Sequence, residues 1–198
     1  MKPCKHKEIQ FGKNTILLAD VPDFEVWIPR LLQEMNAHRA AFDTSHMING
    51  RWENSYLSVD LVPHIRIPMR FARNLGKEIM KIQSMILFES PTGSNNPHPP
   101  FWFNLAKPGE ITGLHNHAHY SALSVVTYLQ AELDAGSLYF HLEGEGQIEI
   151  EPALGRMVMF PPSLHHGVRV NRSTTERISL AFNLFSFPFN CDELWKSI

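Results

Sequence analysis

A chain of 198 residues, 43% hydrophobic and 19% charged, can bury a sizeable core in one compact domain. A formal charge of −2 leaves no electrostatic footprint for nucleic acid. Its two cysteines, Cys4 and Cys191, form neither a disulfide framework nor a CxxC site, and no apolar run approaches the roughly 18 residues of a membrane span. The expectation is a soluble, cytoplasmic protein with free thiols, no nucleic-acid partner and no membrane partner. The NRS triplet at Asn171 then has no secretory context and reads as a chance sequon.

The first element with a clear period is VWIPRLLQEMNAHRAAF, where Trp27, Leu31 and Met35 fall at helical spacing and Pro29 blurs the start. A stronger helix is expected over IPMRFARNLGKEIMKIQSMI, with Phe71, Leu75, Ile79, Ile82 and Ile86 forming one stripe and Pro68 in the first turn. Arg70, Arg73, Lys77 and Lys81 along it read as a solvated outer face. The stretch PTGSNNPHPP, residues 91–100, breaks regular structure and marks a linker.

From Phe101 the period changes to two. FWFNLA, SALSVVTYL, GSLYFHL, GQIEIEP, GRMVMF, GVRVN and RISLAFNLF are short β-rich runs separated by turn signals. Seven or eight strands in about 90 residues predict a mainly β fold, an antiparallel barrel or double-sheet jelly roll of the cupin-like kind, with the N-terminal α-helices flanking one sheet. The whole chain, 1–198, is expected to form a single domain, with a mainly helical flanking region and linker over 1–99 and the jelly-roll core over 100–190. There is no internal repeat, no phosphate-cradling glycine loop and no GxSxG elbow, which removes several large enzyme classes.

The chemistry concentrates in GLHNHAHYSALSVVTYL, residues 113–129. On an extended strand, side chains two apart share a face, so His115 and His117 can converge on one point. His119 would share that face but sit about 7 Å beyond His117. Imidazole is the commonest ligand for iron, zinc and copper, and a ligand from a distant strand would complete a site. FPPSLHHGVRVN supplies His165 and His166, of which only one can point inward, and the period alone does not choose. In RISLAFNLF, Arg177, Ser179, Ala181 and Asn183 share one face, and Ile178, Leu180, Phe182 and Leu184 the other. An arginine inside a barrel needs an anion, and its planar fork suits a carboxylate.

The order HxH, a lone His about fifty residues on, then Arg-x-Ser about ten residues later resembles the 2-oxoglutarate and Fe(II)-dependent oxygenase superfamily. The runs FWFNLAKPGEITGLHNHAHYSALSVVTYL, AGSLYF, IEPALGRMVMFPPSLHHGVRVN and ERISLAFN resemble in particular a bacterial and phage family of that superfamily. The likeness spans about residues 101–185, with Pro162 standing where that family carries a serine. It implies His115 and His117 as the proximal metal ligands, His166 rather than His165 as the distal one, and Arg177 with Ser179 as the clasp for the distal carboxylate of 2-oxoglutarate. Tyr128 and Asn104 are further candidates for contact with that co-substrate, and Trp102 and Phe103 could face a substrate or simply fill core.

The implied cofactors are Fe(II) and 2-oxoglutarate. The implied reaction is hydroxylation of an unidentified small-molecule or peptide substrate, with decarboxylation of 2-oxoglutarate to succinate. Most of the superfamily carries HxD or HxE, whereas here His117 replaces the carboxylate and leaves the site one positive charge higher. Three-histidine sites occur in cupin dioxygenases. Alternatives therefore stand open: water or an anion in place of His117, a register in which His119 partners His117, a cupin-type dioxygenase that needs no 2-oxo acid, or a non-catalytic metal-binding jelly roll. Exposed sheet edges and the helices leave room for a homodimer.

Overall fold

The computed structural model describes residues 5–48, 51–90, 97–117 and 121–188. Strands β1 (His6–Phe11) and β2 (Asn14–Asp20) form an opening hairpin, followed by helix α1 (Phe24–Ala37). A second hairpin, β3 (Asp43–Ile48) and β4 (Arg51–Tyr56), precedes helix α2 (Arg66–Glu78) and the two-residue β5 (Ser84–Met85). The rest is β: β6 (Phe101–Ala106), β7 (Thr112–His115), β8 (Ser121–Gln130), β9 (Leu138–Leu142), β10 (Gly146–Ile150), β11 (Arg156–Phe160), β12 (His165–Val168) and β13 (Arg177–Ser186).

Two antiparallel sheets result. The larger runs β1-β2-β11-β8-β13-β6-β4-β3, with β5 on β13, and the smaller runs β10-β9-β12-β7. Successive residues of the central strands point to opposite faces and meet different cores. Leu123, Val125 and Leu129 of β8, Met157 and Met159 of β11, and Ile178, Leu180, Phe182 and Leu184 of β13 pack against Trp27, Ile28, Leu31 and Met35 of α1 and Met69, Ala72 and Leu75 of α2. The alternate residues Tyr128, Val158 and Phe160 join Leu138, Phe140 and Ile150 of the smaller sheet in a second cluster between the sheets. Both faces of β8 and β13 are covered, which is why these strands read as near-continuous apolar runs.

The jelly roll and the flanking helices are as the sequence predicts, and Trp27, Leu31 and Met35 are all buried despite Pro29 lying inside α1. Three local details differ from the expectation. The region 1–99 carries strands as well as helices: β1 to β4 extend the larger sheet at both edges, β2 on β11 and β4 on β6. Their sequences mix charge with apolar residues for different reasons: HKEIQF keeps most of its side chains in solvent, whereas in RWENSY the charged Glu53 is buried and Trp52 is exposed. Secondly, α2 ends at Glu78 rather than near Ile86, and its most buried side chains are Pro68, Met69, Ala72 and Leu75 rather than Phe71. The Ile82 amide closes back on the Gly76 carbonyl at 3.1 Å, Lys81 takes a left-handed φ of 59°, and Ser84 and Met85 pair with β13. Ile79, Ile82 and Ile86 still pack on the helix-side core, so the apolar period survives while the backbone changes. Thirdly, TGLH forms β7, a strand the sequence does not single out, and it ends at His115.

Candidate functional site

Strand β12 lies between β9 and β7, and the pairing sets His166 opposite both Phe140 and His115. His166 is buried and His165 exposed. The Nδ1 atoms of His115 and His166 lie 2.8 and 2.9 Å from the carbonyl oxygens of Gly113 and Leu164, two residues earlier in each case. A carbonyl only accepts, so each Nδ1 carries the proton and each neutral ring turns its Nε2 lone pair inward. Phe160 packs edge-on to the His166 ring at 4.6 Å.

His117 lies beyond the end of β7, so strict strand alternation does not place it. Its backbone N–H donates instead to the Pro162 carbonyl at 2.9 Å, which ties it to the turn before β12. Proline at 162 leaves that bond intact, because only its carbonyl is used. The ligand atoms of His115, His117 and His166 all lie within 4.8 Å of one another, and the Nε2 atoms of His117 and His166 are 3.1 Å apart. His119 lies outside the described residues.

Burial favours the uncharged form of all three rings. It holds His117 down at about 3, aided by the positive potential of His115 and His46, and it lowers His115. His166 is pushed well below the ordinary histidine range by burial and then by its two neighbours. Three neutral imidazoles with two inward lone pairs fit a divalent transition metal, and a cation among them would satisfy the nitrogens that face one another.

Along the inward face of β13, Ser179 and Ala181 line the cavity that holds the three histidines, together with Asn104, Trp102, Thr112 and Glu53. Ser179 stands in register with Asn104 on one side and Tyr128 on the other. Asn104 is committed to protein contacts: its amide donates to the Glu53 carbonyl at 3.0 Å and its oxygen accepts from Arg51 at 2.8 Å. Arg177, at the end of the same face, is 1% exposed. Its Nη1 donates to the carbonyls of Ala135, Gly136 and Arg169, at 2.9, 3.5 and 3.4 Å. Its Nη2 is buried with no partner, and among the described residues no carboxylate lies within ion-pair distance of it. The Tyr128 hydroxyl on the neighbouring strand is likewise buried and unpartnered. Burial raises Tyr128 to about 12, so it remains a neutral donor. Buried polar atoms are normally paired, so two orphans on adjacent strands point to an absent anion with acceptor oxygens.

The structure thus brings together His115, His117 and His166, places Ser179 and Asn104 on the same cavity, and buries Arg177 and Tyr128 with hydrogen-bonding atoms that have no partner. The sequence reading missed Arg51 and Glu53 of β4. Their signal is the alternation R-W-E-N, two charges on one face of a strand, which is easily taken for a solvated surface.

The family model described as "Putative 2OG-Fe(II) oxygenase" matches residues 141–183, a stretch that holds His166, Arg177 and Ser179 but not His115 or His117. No curated protein matches the chain. Among solved structures, a Pseudomonas putida prolyl-4-hydroxylase is similar at 15% identity and a TM-score of 0.59, over 91% of this chain and 92% of that one. The epimerase SnoN from nogalamycin biosynthesis, solved with Fe3+, alpha ketoglutarate and nogalamycin RO, is similar at 13% identity and a TM-score of 0.64, over 89% and 84%. A Trichoplax adhaerens prolyl hydroxylase in complex with a hypoxia inducible factor peptide is similar at 12% identity and a TM-score of 0.62, over 86% and 83%. The chain therefore resembles the 2-oxoglutarate and Fe(II)-dependent oxygenases in a matched stretch of sequence, and it shares the double-stranded β-helix fold of these structures. Among the described residues no helix is long and apolar enough to cross a membrane.

Proposed function

We propose that this protein is a 2-oxoglutarate-dependent Fe(II) oxygenase, acting as a hydroxylase on a small-molecule or peptide substrate in the cytoplasm. His115, His117 and His166 would hold the metal, and Arg177, with Tyr128 and Ser179, would hold the distal carboxylate of 2-oxoglutarate. The observation that carries this reading is the buried Arg177 guanidinium with an unfilled Nη2, at the end of the strand face that lines the three-histidine cavity. When bound, Fe(II) and 2-oxoglutarate supply the oxidising chemistry, in which O2 and the 2-oxo acid are converted to succinate and CO2 while a substrate C–H bond is oxidised.

The protein's own contribution is orientation and exclusion of water. The carbonyls of Gly113 and Leu164 fix the tautomers of His115 and His166. Phe140 and Phe160 shield His166 from solvent. Three carbonyls hold one arm of Arg177 and leave Nη2 as a fixed, unpartnered donor, which would spare the co-substrate the cost of ordering it. Three neutral ligands leave the metal's positive charge undiminished by protein carboxylate, and this favours a dianionic co-substrate.

The test is anaerobic Fe(II) titration with and without 2-oxoglutarate, followed through the weak visible band of the chelated complex, in the wild type and in Arg177→Ala. The band is expected to need both components and to be lost in the variant. Iron binding that ignores 2-oxoglutarate would refute the reading and favour a three-histidine dioxygenase or a metal-binding jelly roll.

A further inference from the structure

Glu53 is a second buried charge on the same cavity. It is 4% exposed, and β4 carries it to the wall shared by Trp102, Asn104, Thr112 and His117. Its Oε1 accepts from the Gly113 backbone N–H at 3.3 Å and from Arg51 at 3.4 Å. Oε2 makes no hydrogen bond among the described residues and is not fully enclosed, and Glu53 is one of the residues that line the cavity.

The cation that contacts Glu53 is shared among several acceptors. Arg51, the cation nearest to it, also pairs with Glu110 at 3.1 Å and donates to the Ile111 carbonyl, Asn104 and the Leu105 carbonyl. One guanidinium therefore serves two carboxylates and three neutral acceptors. Burial raises the Glu53 carboxyl, while Arg51, the Gly113 amide, Arg177 and His46 pull it back toward the charged form. A carboxylate oxygen left without a protein donor in a largely buried residue is a strong acceptor for a cation. Trp102 lies on the same wall, its ring 5.5 Å from that of His117, and offers an aromatic face to such a group.

We propose that Glu53 is a specificity-determining residue whose free Oε2 receives a cationic guanidinium or ammonium group of the substrate, against the Trp102 ring and within reach of the three-histidine site. The substrate class is then a basic amino-acid side chain or an equivalent amine. This rests on the oxygenase reading only for the identity of the site as catalytic, since the acidic subsite is built without the metal or the 2-oxo acid. Arg51 remains the structural partner of Oε1, and a purely structural Glu53 would stabilise β4 and β7 with no preference for a charged ligand.

The probes are N-acetyl-arginine amide and its neutral isostere N-acetyl-citrulline amide, titrated into full-length protein and followed by 1H–15N NMR. The reporters are the Gly113 amide, which donates to Glu53, and the Trp102 indole. The titration is run with and without Zn(II) and 2-oxoglutarate. The arginine probe is expected to shift both signals saturably and to bind at least about tenfold tighter than citrulline, the scale of one charge-assisted hydrogen bond. Glu53→Gln should remove that preference while metal binding is retained.

Equal binding of the two probes by the wild type overturns the proposal and needs no variant, so it decides the matter even if Glu53→Gln folds poorly. An arginine preference that survives in a folded Glu53→Gln protein also overturns it. Preference at Glu53 in a protein that shows no response to 2-oxoglutarate would sustain this subsite while refuting the oxygenase reading, so the two fail separately.

Discussion

The Tyr128 hydroxyl gives the sharpest prediction because its two roles have opposite signs. In the ligand-free protein it is buried without a partner, which costs about 1–3 kcal/mol relative to a carbon–hydrogen edge. Tyr128→Phe keeps the ring in the inter-sheet cluster with Phe140 and Phe160. The variant should be more stable than the wild type by up to that amount, or about 2–4 °C in Tm for each kcal/mol in a chain of this size. With 2-oxoglutarate and metal present that advantage should shrink or vanish. A donor to a carboxylate contributes about 1.5–3 kcal/mol, so the variant should bind the co-substrate roughly 10- to 150-fold more weakly and gain less Tm from it. Scanning calorimetry of both proteins across a 2-oxoglutarate series reads both effects. A ligand-free Tyr128→Phe protein destabilised by more than about 1 kcal/mol would show that the hydroxyl has a partner, and unchanged 2-oxoglutarate affinity would show that it does not meet the co-substrate.

Removing one imidazole from the triad, as in His166→Ala or His115→Ala, should weaken Fe(II) by more than the roughly 100-fold typical of a lost supporting contact, as read by equilibrium dialysis. His117→Asp, which recreates two histidines and a carboxylate, should retain Fe(II) but bind 2-oxoglutarate more weakly, because the site loses one positive charge. Without metal, stability should fall as pH drops below about 6.5: the unfolded histidines take up protons there, while His117 stays neutral to about 3 and His115 and His166 are also lowered, so the unfolded state binds more protons. Denaturant titrations from pH 7 to 4.5 that show no such loss would refute the burial argument. Gly136 has φ +91°, and a Cβ there would lie 2.2 Å from the Arg169 carbonyl, which also receives Arg177. Gly136→Ala should therefore cost on the order of 3 kcal/mol and lower 2-oxoglutarate affinity, as followed by thermal melts and the charge-transfer titration.

The residues that carry strong local patterns were legible in the sequence. The period of two after Phe101 located most of the strands of the jelly roll, and the face of RISLAFNLF that bears Arg177, Ser179 and Ala181 is the one turned away from the helices. Less visible were β1 to β4, where charge is mixed with apolar residues in the outer strands of the larger sheet, and the end of α2, where the Ile79, Ile82 and Ile86 spacing continues past the last helical turn. In both places a non-local strand pairing overrides a local signal. Glu53 and Arg51 were hidden for the same reason, since only the pairing of β4 with β6 carries them to the cavity.

By itself the sequence determined the supply of chemistry: two histidines two apart, a third about fifty residues later, and an arginine on a strand that needs an anion. That follows because strand periodicity and side-chain donor chemistry are local properties. Only the tertiary structure decided which of His165 and His166 turns inward, since that depends on the register of β12 against β7 and β9. It also decided how His117 reaches the others from beyond its strand, through the Pro162 carbonyl. Last, it decided that Arg177 and Tyr128 are buried with unfilled hydrogen-bonding capacity, because satisfaction of a buried polar atom depends on every neighbour that packing brings to it.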